Sequence, residues 1–231
     1  MIFRQLFDTV SSTYTYLLAS GWGREALILD PVKEHTDQYL QVISELDLKL
    51  VIAVDTHTHA DHITALGSLR DASGCTTVMG AQTKAECVSY RVADEETLKI
   101  DGIALRAIFT PGHTNESFSF LIEGRTMPAV FTGDVLLIRG SGRTDFQGGN
   151  AHQSWNSIVN KLFRLPDETL VFPAHDYKGW TASSIGEERL HNPRVANKTE
   201  AEYVDIMQSL VLPDPQLMDV AVPANLACGK S

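Results

Sequence analysis

The chain has 231 residues, 43% hydrophobic and 21% charged, with a formal net charge of −10. That length and balance describe a folded protein able to bury a sizeable core, and the acid excess without a basic block argues against a phosphate-backbone partner. No apolar run approaches the roughly 18 residues that span a bilayer, and the N-terminal MIFRQLFDTVSSTYTY lacks the ordered regions of a signal peptide, so the expectation is a cytoplasmic protein with no membrane partner.

In chain order, IFRQLF, TYTYLLAS and EALILD read as short strands. HTDQYLQVISEL reads as a helix with Tyr39, Val42, Ile43 and Leu46 on one face. LKLVIAVD is a short apolar run and reads as a buried strand. ITALGSLRDASG then reads as a helix closed by Gly74, with Asp61 at its start. Strands follow at TTVMG, ETLKI, IALRAIFT, SFSFLIEG and MPAVFTGD, with turn signals at Asp101-Gly102, Pro111-Gly112 and Glu123-Gly124. HQSWNSIVNKLFRL reads as a helix ended by Pro166, ETLVFPA as a strand, KTEAEYVDIMQSL as a helix, and the remainder as a Pro-rich tail. The balance predicts two sheets packed on each other with helices outside, in a single domain over residues 1–231. Cys75, Cys87 and Cys228 are odd in number, far apart and without a CxxC spacing, so the expectation is thiols in a reducing compartment rather than disulfides.

The chemistry-bearing residues share one placement. His57, His59, Asp61 and His62, in THTHADH, follow the strand LKLVIAVD. His113 in TPGHT, Asp134 in TGD and His175 in PAHDY each follow another strand. Strand ends on one sheet edge are where sites are built, and imidazole and carboxylate are ligands for zinc, iron and manganese. A lone His after a strand is more often an ordinary loop residue, but three imidazoles in six residues are mutually awkward without a metal. Gly112 and Gly133 allow the tight turns that aim His113 and Asp134. His35, His152 and His191 lack such a context and read as ordinary.

HxHxDH, TPGHT, TGD and a late His, in this order, resemble the metallo-β-lactamase superfamily. The resemblance implies an α/β fold, the four-layer αββα sandwich, with a metal site at one edge of the β-sandwich. In much of that superfamily seven ligands hold two metals for hydrolysis, and all seven types are present here in His57, His59, Asp61, His62, His113, Asp134 and His175. The motif alone therefore predicts a binuclear hydrolase such as glyoxalase II, which cleaves a glutathione thioester.

Other stretches resemble the persulfide dioxygenases: FTGDVLLIRGSGRTDFQGG, SSTYTYLLA, THTHADHITA, PAHDYKG, EERLHNPR and the tail VPANLACG. They run from Ser11 to Gly229 and are more specific than the metal motif. This second resemblance implies one Fe(II) per chain, held by His57, His113 and Asp134 as a 2-His-1-carboxylate face with open positions. His59, Asp61, His62 and His175 would then orient the ligands through hydrogen bonds. Arg143, Tyr177 and Arg194 match the glutathione-contacting positions, where an acidic protein needs local cations and hydrogen-bond donors. The implied reaction takes glutathione persulfide, O2 and water to sulfite and glutathione, in a chain that forms a homodimer. Where animal and plant members carry Cys before the Gly-Arg of this loop, this chain has Ser141; a thiol is lost and no implied iron ligand is touched. Asp145 in the same loop is expected to brace it or pair with Arg143. A third reading, a module that binds glutathione species without turnover, finds no support in the intact ligand set.

Overall fold

The three β-rich runs at the start of the chain form β1 (Ile2–Asp8), β2 (Thr13–Ala19) and β3 (Glu25–Leu29), joined antiparallel. The structure, a computed structural model, describes residues 1–122, 128–213 and 217–229. β3 pairs in parallel with β4 (Lys49–Val54), β4 with β5 (Thr76–Gly80), and β5 with β6 (Tyr90–Val92), completing a six-stranded mixed sheet in sequence order. Parallel neighbours require a crossover. α1 (Thr36–Glu45) supplies it between β3 and β4, burying Tyr39 and Ile43, one turn apart. α2 (Leu66–Ser73) supplies the next and ends as expected at Gly74, whose φ of 72° is left-handed and whose N–H bonds to Arg70 O at 2.8 Å.

The second sheet contains β7 (Thr97–Ile100), β8 (Ile103–Phe109), β9 (Phe118–Ile122), β10 (Ala129–Gly133), β11 (Leu170–Pro173) and β12 (Ser183–Ser184), in the order β12-β11-β10-β9-β8-β7. β8, β9 and β10 pair antiparallel, while β10 and β11 are parallel, so this sheet is also mixed. The expected turn at Glu123-Gly124 lies outside the described residues.

Contacts divide the chain into two compact units: Met1–Val92 with Thr97–Ala104 and Asp214–Ser231, and Ala93–Glu96 with Leu105–Pro213. The first has a core of Leu17, Ile28, Tyr39, Leu50, Leu66, Leu69 and their neighbours. The second is built around Leu121, Val130, Leu136, Ile158, Leu162 and Tyr203.

Several expectations need correcting. Cys87 and Cys228, 141 positions apart in the sequence, form a disulfide, and only Cys75 is a free, buried thiol. No spacing rule predicts a bridge that depends on where the chain's end docks. Asp61 does not start a helix: it lies in an irregular loop, and α2 begins at Leu66. The HQSWNSIVNKLFRL segment is not one α-helix. It runs as α3 (Ala151–Trp155), a π-helical stretch Asn156–Lys161 and a 3-10 turn Leu162–Arg164, before Leu165 turns extended ahead of Pro166. α4 (Ile185–His191), β6 and β12 were not expected, although Ser184, which caps α4 by accepting from Glu187 N, stands at the S-x-x-E spacing of a helix start. α5 (Glu200–Ser209) is as expected and opens on a Thr199–Glu202 capping box. The Pro-rich tail contains α6 (Met218–Leu226), with Pro223 inside it.

Candidate metal centre

In the first unit the THTHADH loop leaves the end of β4, and its histidines are buried. Asp30, just past β3, organises it. The Asp30 carboxylate accepts from Thr56 N at 2.7 Å and from Thr56 Oγ1 at 3.1 Å, and pairs with His59 Nε2 at 3.1 Å. Having donated its proton to Asp30, the Thr56 hydroxyl accepts from His57 Nδ1 at 3.0 Å. That network assigns the His57 proton to Nδ1 and makes Nε2 its basic nitrogen. His62 Nδ1 lies 3.1 Å from Asp61 Oδ2 and 3.2 Å from Thr13 Oγ1. Thr13 is in turn held by Ser11 at 2.6 Å, so SSTYTY braces the loop. Burial disfavours the His59 imidazolium, but the charge and hydrogen bond of Asp30, with Asp55 and Asp61, outweigh it and push the pKa to about 9.

In the second unit His113, Asp134 and His175 come together. His113 Nδ1 donates to Arg143 O at 2.8 Å, leaving Nε2 as the basic nitrogen, 3.6 Å from Asp134 Oδ2. Asp134 Oδ1 accepts from His175 Nδ1 at 2.7 Å. The glycines aim these side chains: φ is 144° at Gly112 and 52° at Gly133, both unfavourable for other residues. Gly142 N donates to Asp134 O at 2.6 Å, closing the GSGR loop over the pair.

The substrate candidates lie around this second group. Tyr177 is exposed and its ring lies parallel to that of His175, centroids 6.1 Å apart. Arg143 is held by both Asp145 oxygens at 2.7 Å each, by Pro213 O at 2.8 Å and by stacking on Phe146, so the expected Arg143–Asp145 pair exists. Arg194 donates to the carbonyl of Ser141 and, at 3.2 Å, to its hydroxyl. Ser141 is buried, with Oγ 3.1 Å from Tyr203 OH. Ser141 is therefore part of a hydrogen-bonded brace.

Two dispersed motifs prove to be one support. Glu188, fully buried in α4, accepts from Arg139 N at 2.8 Å and from Ser183 Oγ at 2.6 Å, and pairs with the Arg139 guanidinium. Asn192 Nδ2 reaches Glu188 and, at 2.9 Å, Gly140 O. EERLHNPR thus holds the RGSGR segment in place. Sequence reasoning missed Asp30, Thr13, Thr56, Glu188 and Asn192, whose types are common and whose roles depend on distant partners. Of the histidines read as ordinary, His35 pairs with Asp8 at 2.9 Å and His152 with Glu200 at 2.7 Å.

The donor set suits a divalent transition metal. It offers imidazole nitrogens and carboxylate oxygens, and the His57 and His113 rings are oriented through their second nitrogens, as metal-ligating histidines usually are. Two mixed sheets with His and Asp residues gathered at strand ends define a protein of the metallo-β-lactamase class, and the model for the metallo-beta-lactamase superfamily matches residues 6–175. "Persulfide dioxygenase ETHE1, mitochondrial" of Homo sapiens is 45% identical over 99% of this chain and 89% of its own. The crystal structure of ETHE1 from Myxococcus xanthus is 52% identical with a TM-score of 0.95, covering 99% of this chain and 100% of that one. The chain belongs to the persulfide dioxygenase family of this superfamily. The hydroxyacylglutathione hydrolase of Dictyostelium discoideum is more distant, 31% identical over 71% of this chain and 62% of its own. Among the described residues no helix is long and apolar enough to cross a membrane, and the human relative's name places it in mitochondria, so cytoplasmic location gains no support from it.

Proposed function

We propose that the chain is a mononuclear Fe(II) dioxygenase that oxidises glutathione persulfide. The observation that carries this is the 45% identity to a persulfide dioxygenase across nearly the whole chain, well beyond the metal motif. One sulfane sulfur gives up four electrons, O2 takes them, and with one water the products are sulfite, glutathione and two protons.

By motif position His57, His113 and Asp134 hold the iron. Bound iron supplies the redox chemistry with O2 and the open positions that side chains lack. The remaining residues orient and bind. Asp134 Oδ1 is engaged by His175, which turns Oδ2 toward the Nε2 side of His113. His59, Asp61 and His62 keep partners within their own loop and its supports, as orienting residues do. Tyr177 offers a phenol beside His175, and Arg143 and Arg194 offer cationic anchors for glutathione carboxylates, with Asp145 holding the Arg143 fork in one orientation.

A binuclear thioester hydrolase is the second reading, favoured by the seven ligand types and by the likeness to hydroxyacylglutathione hydrolase. Metal analysis with oxygen uptake separates the two. One iron per chain, with stoichiometric oxygen uptake and sulfite from glutathione persulfide, is expected. Two metals per chain and rapid hydrolysis of S-lactoylglutathione would overturn the proposal.

A further inference from the structure

The far end of the chain grips the metal-binding loop. Asn225, buried near the end of α6, donates through Nδ2 to His59 O and to His62 O at 2.9 Å each, and accepts through Oδ1 from Thr64 N at 2.8 Å. Both amide protons and the amide oxygen are used, all on one loop. The bonded carbonyls belong to two of the THTHADH histidines, so Asn225 sets the peptide planes from which those rings project.

What holds Asn225 there is not α6 alone. α6 has nine residues with Pro223 inside, too short and too interrupted to persist without tertiary support. Three residues beyond Asn225, Cys228 is bonded to Cys87. Around that bond the chain end is fixed to the same region: Gly67 N donates to Cys228 O at 2.9 Å and Lys33 Nζ to Gly229 O at 2.5 Å. Gly229, with φ 77°, lies so close to Thr64 O that a Cβ there would overlap it. Cys228 is buried and Cys87 is half-buried.

We propose that Asn225 is a positioning residue for the metal-binding loop and that the Cys87–Cys228 disulfide keeps it engaged, so that metal retention depends on the redox state of this bond. The proposal rests on the metal-binding reading of the loop and not on the identity of the substrate. Reduction delivers two electrons and two protons to the S–S bond and yields two thiols; a phosphine reductant leaves as its oxide, with oxygen from water. The covalent hold on the chain end is then lost, and Asn225 stays engaged only through non-covalent docking.

The test uses iron-loaded protein under anaerobic conditions, with Fe(II) release to a chromogenic chelator followed over time and amide hydrogen exchange measured at residues 59–64. Reduction of the wild type with a phosphine is expected to speed iron release roughly tenfold or more, the range seen when residues supporting metal ligands are lost. Reoxidation should restore slow release. Cys87→Ser/Cys228→Ser should match the reduced wild type. Asn225→Ala should release iron fast in both redox states, and Asn225→Asp, which keeps the acceptor but loses both donors, should resemble it. Equal release and equal exchange in oxidised and reduced wild type would overturn the proposal, and that comparison needs no variant to fold. Reduction that accelerates release in Asn225→Ala as much as in the wild type would also overturn it, because the disulfide would then act by another route. Failure of the dioxygenase reading would appear as absent oxygen uptake with redox-dependent iron release unchanged.

Discussion

Replacing Gly142 with Ala perturbs the second group of site residues through a single methyl. A Cβ on Gly142 would overlap the carbonyl oxygen of Asp134 and stand 2.7 Å from His113 Nδ1 and 2.9 Å from its Cγ. Ordinary contact begins at 3.4 Å, so the loop must lift away from Asp134 O and stretch the 2.6 Å bond from Gly142 N to it, and what this does not relieve of the 0.7 Å (3.4 − 2.7) shortfall to His113 must come from retreat of the imidazole. The φ of Gly142 is not in the left-handed region, so the cost is steric rather than conformational. Overpacking of this kind costs about 1–3 kcal/mol, which for a chain of this length lowers Tm by roughly 2–12 °C. Displacement of a positioned group by close to an ångström costs on the order of a hundredfold in rate. Metal content, kcat/KM for persulfide oxidation and a thermal melt measure the three consequences. Gly140→Ala is the control, because its Cβ would meet only Leu137 Cβ at 3.8 Å. Wild-type metal content and turnover in Gly142→Ala, or an equal loss in Gly140→Ala, would refute the reasoning.

Removing the Arg139 side chain should leave Glu188 buried and uncompensated, at a cost of about 3–5 kcal/mol, read as a large fall in Tm with denaturant midpoints as a check. His113→Ala should abolish stoichiometric metal binding, measured by elemental analysis; an unchanged content would remove His113 from the ligand set. Arg194→Ala should raise KM for the persulfide with kcat largely kept, and steady-state kinetics showing a pure kcat defect would give Arg194 another role. The Asp145 carboxyl is held below its ordinary value, chiefly by its hydrogen bonds from Arg143. The pair's stabilisation is therefore present above the ordinary carboxylate range and fades as pH falls through the lowered value. Melts of wild type and Asp145→Asn should differ at neutral pH, begin to draw together below about pH 4 and converge only below the lowered value.

Ten of the twelve described strands, all but β6 and β12, were legible because their apolar runs are short and bounded by turn residues, and the helix over Tyr39 and Ile43 because those residues recur at helical spacing. The end of α2 was legible because Gly74 is one of few residues that adopt a left-handed φ cheaply. Asp61 misled because a carboxylate ahead of an apolar run looks like a helix start. In the structure its Oδ2 faces His62 and Thr13 instead, and the helix waits until Leu66. α6 was hidden by Pro223 within it and because the docking that stabilises it is made with residues more than a hundred positions away.

The sequence by itself determined the metal-ligating types, their strand-end placement and the glycines that aim them, because those are set by local spacing and backbone freedom. Tertiary structure alone decided which nitrogen of each histidine faces which partner. It also decided that Ser141 is a brace and that Cys87 and Cys228 are bonded. A hydrogen bond or disulfide between residues distant in sequence costs loop-closure entropy that no short motif records. Asp30, Asn225 and Glu188 are therefore unremarkable in the sequence, and their roles follow from the chain segments that folding brings to each of them.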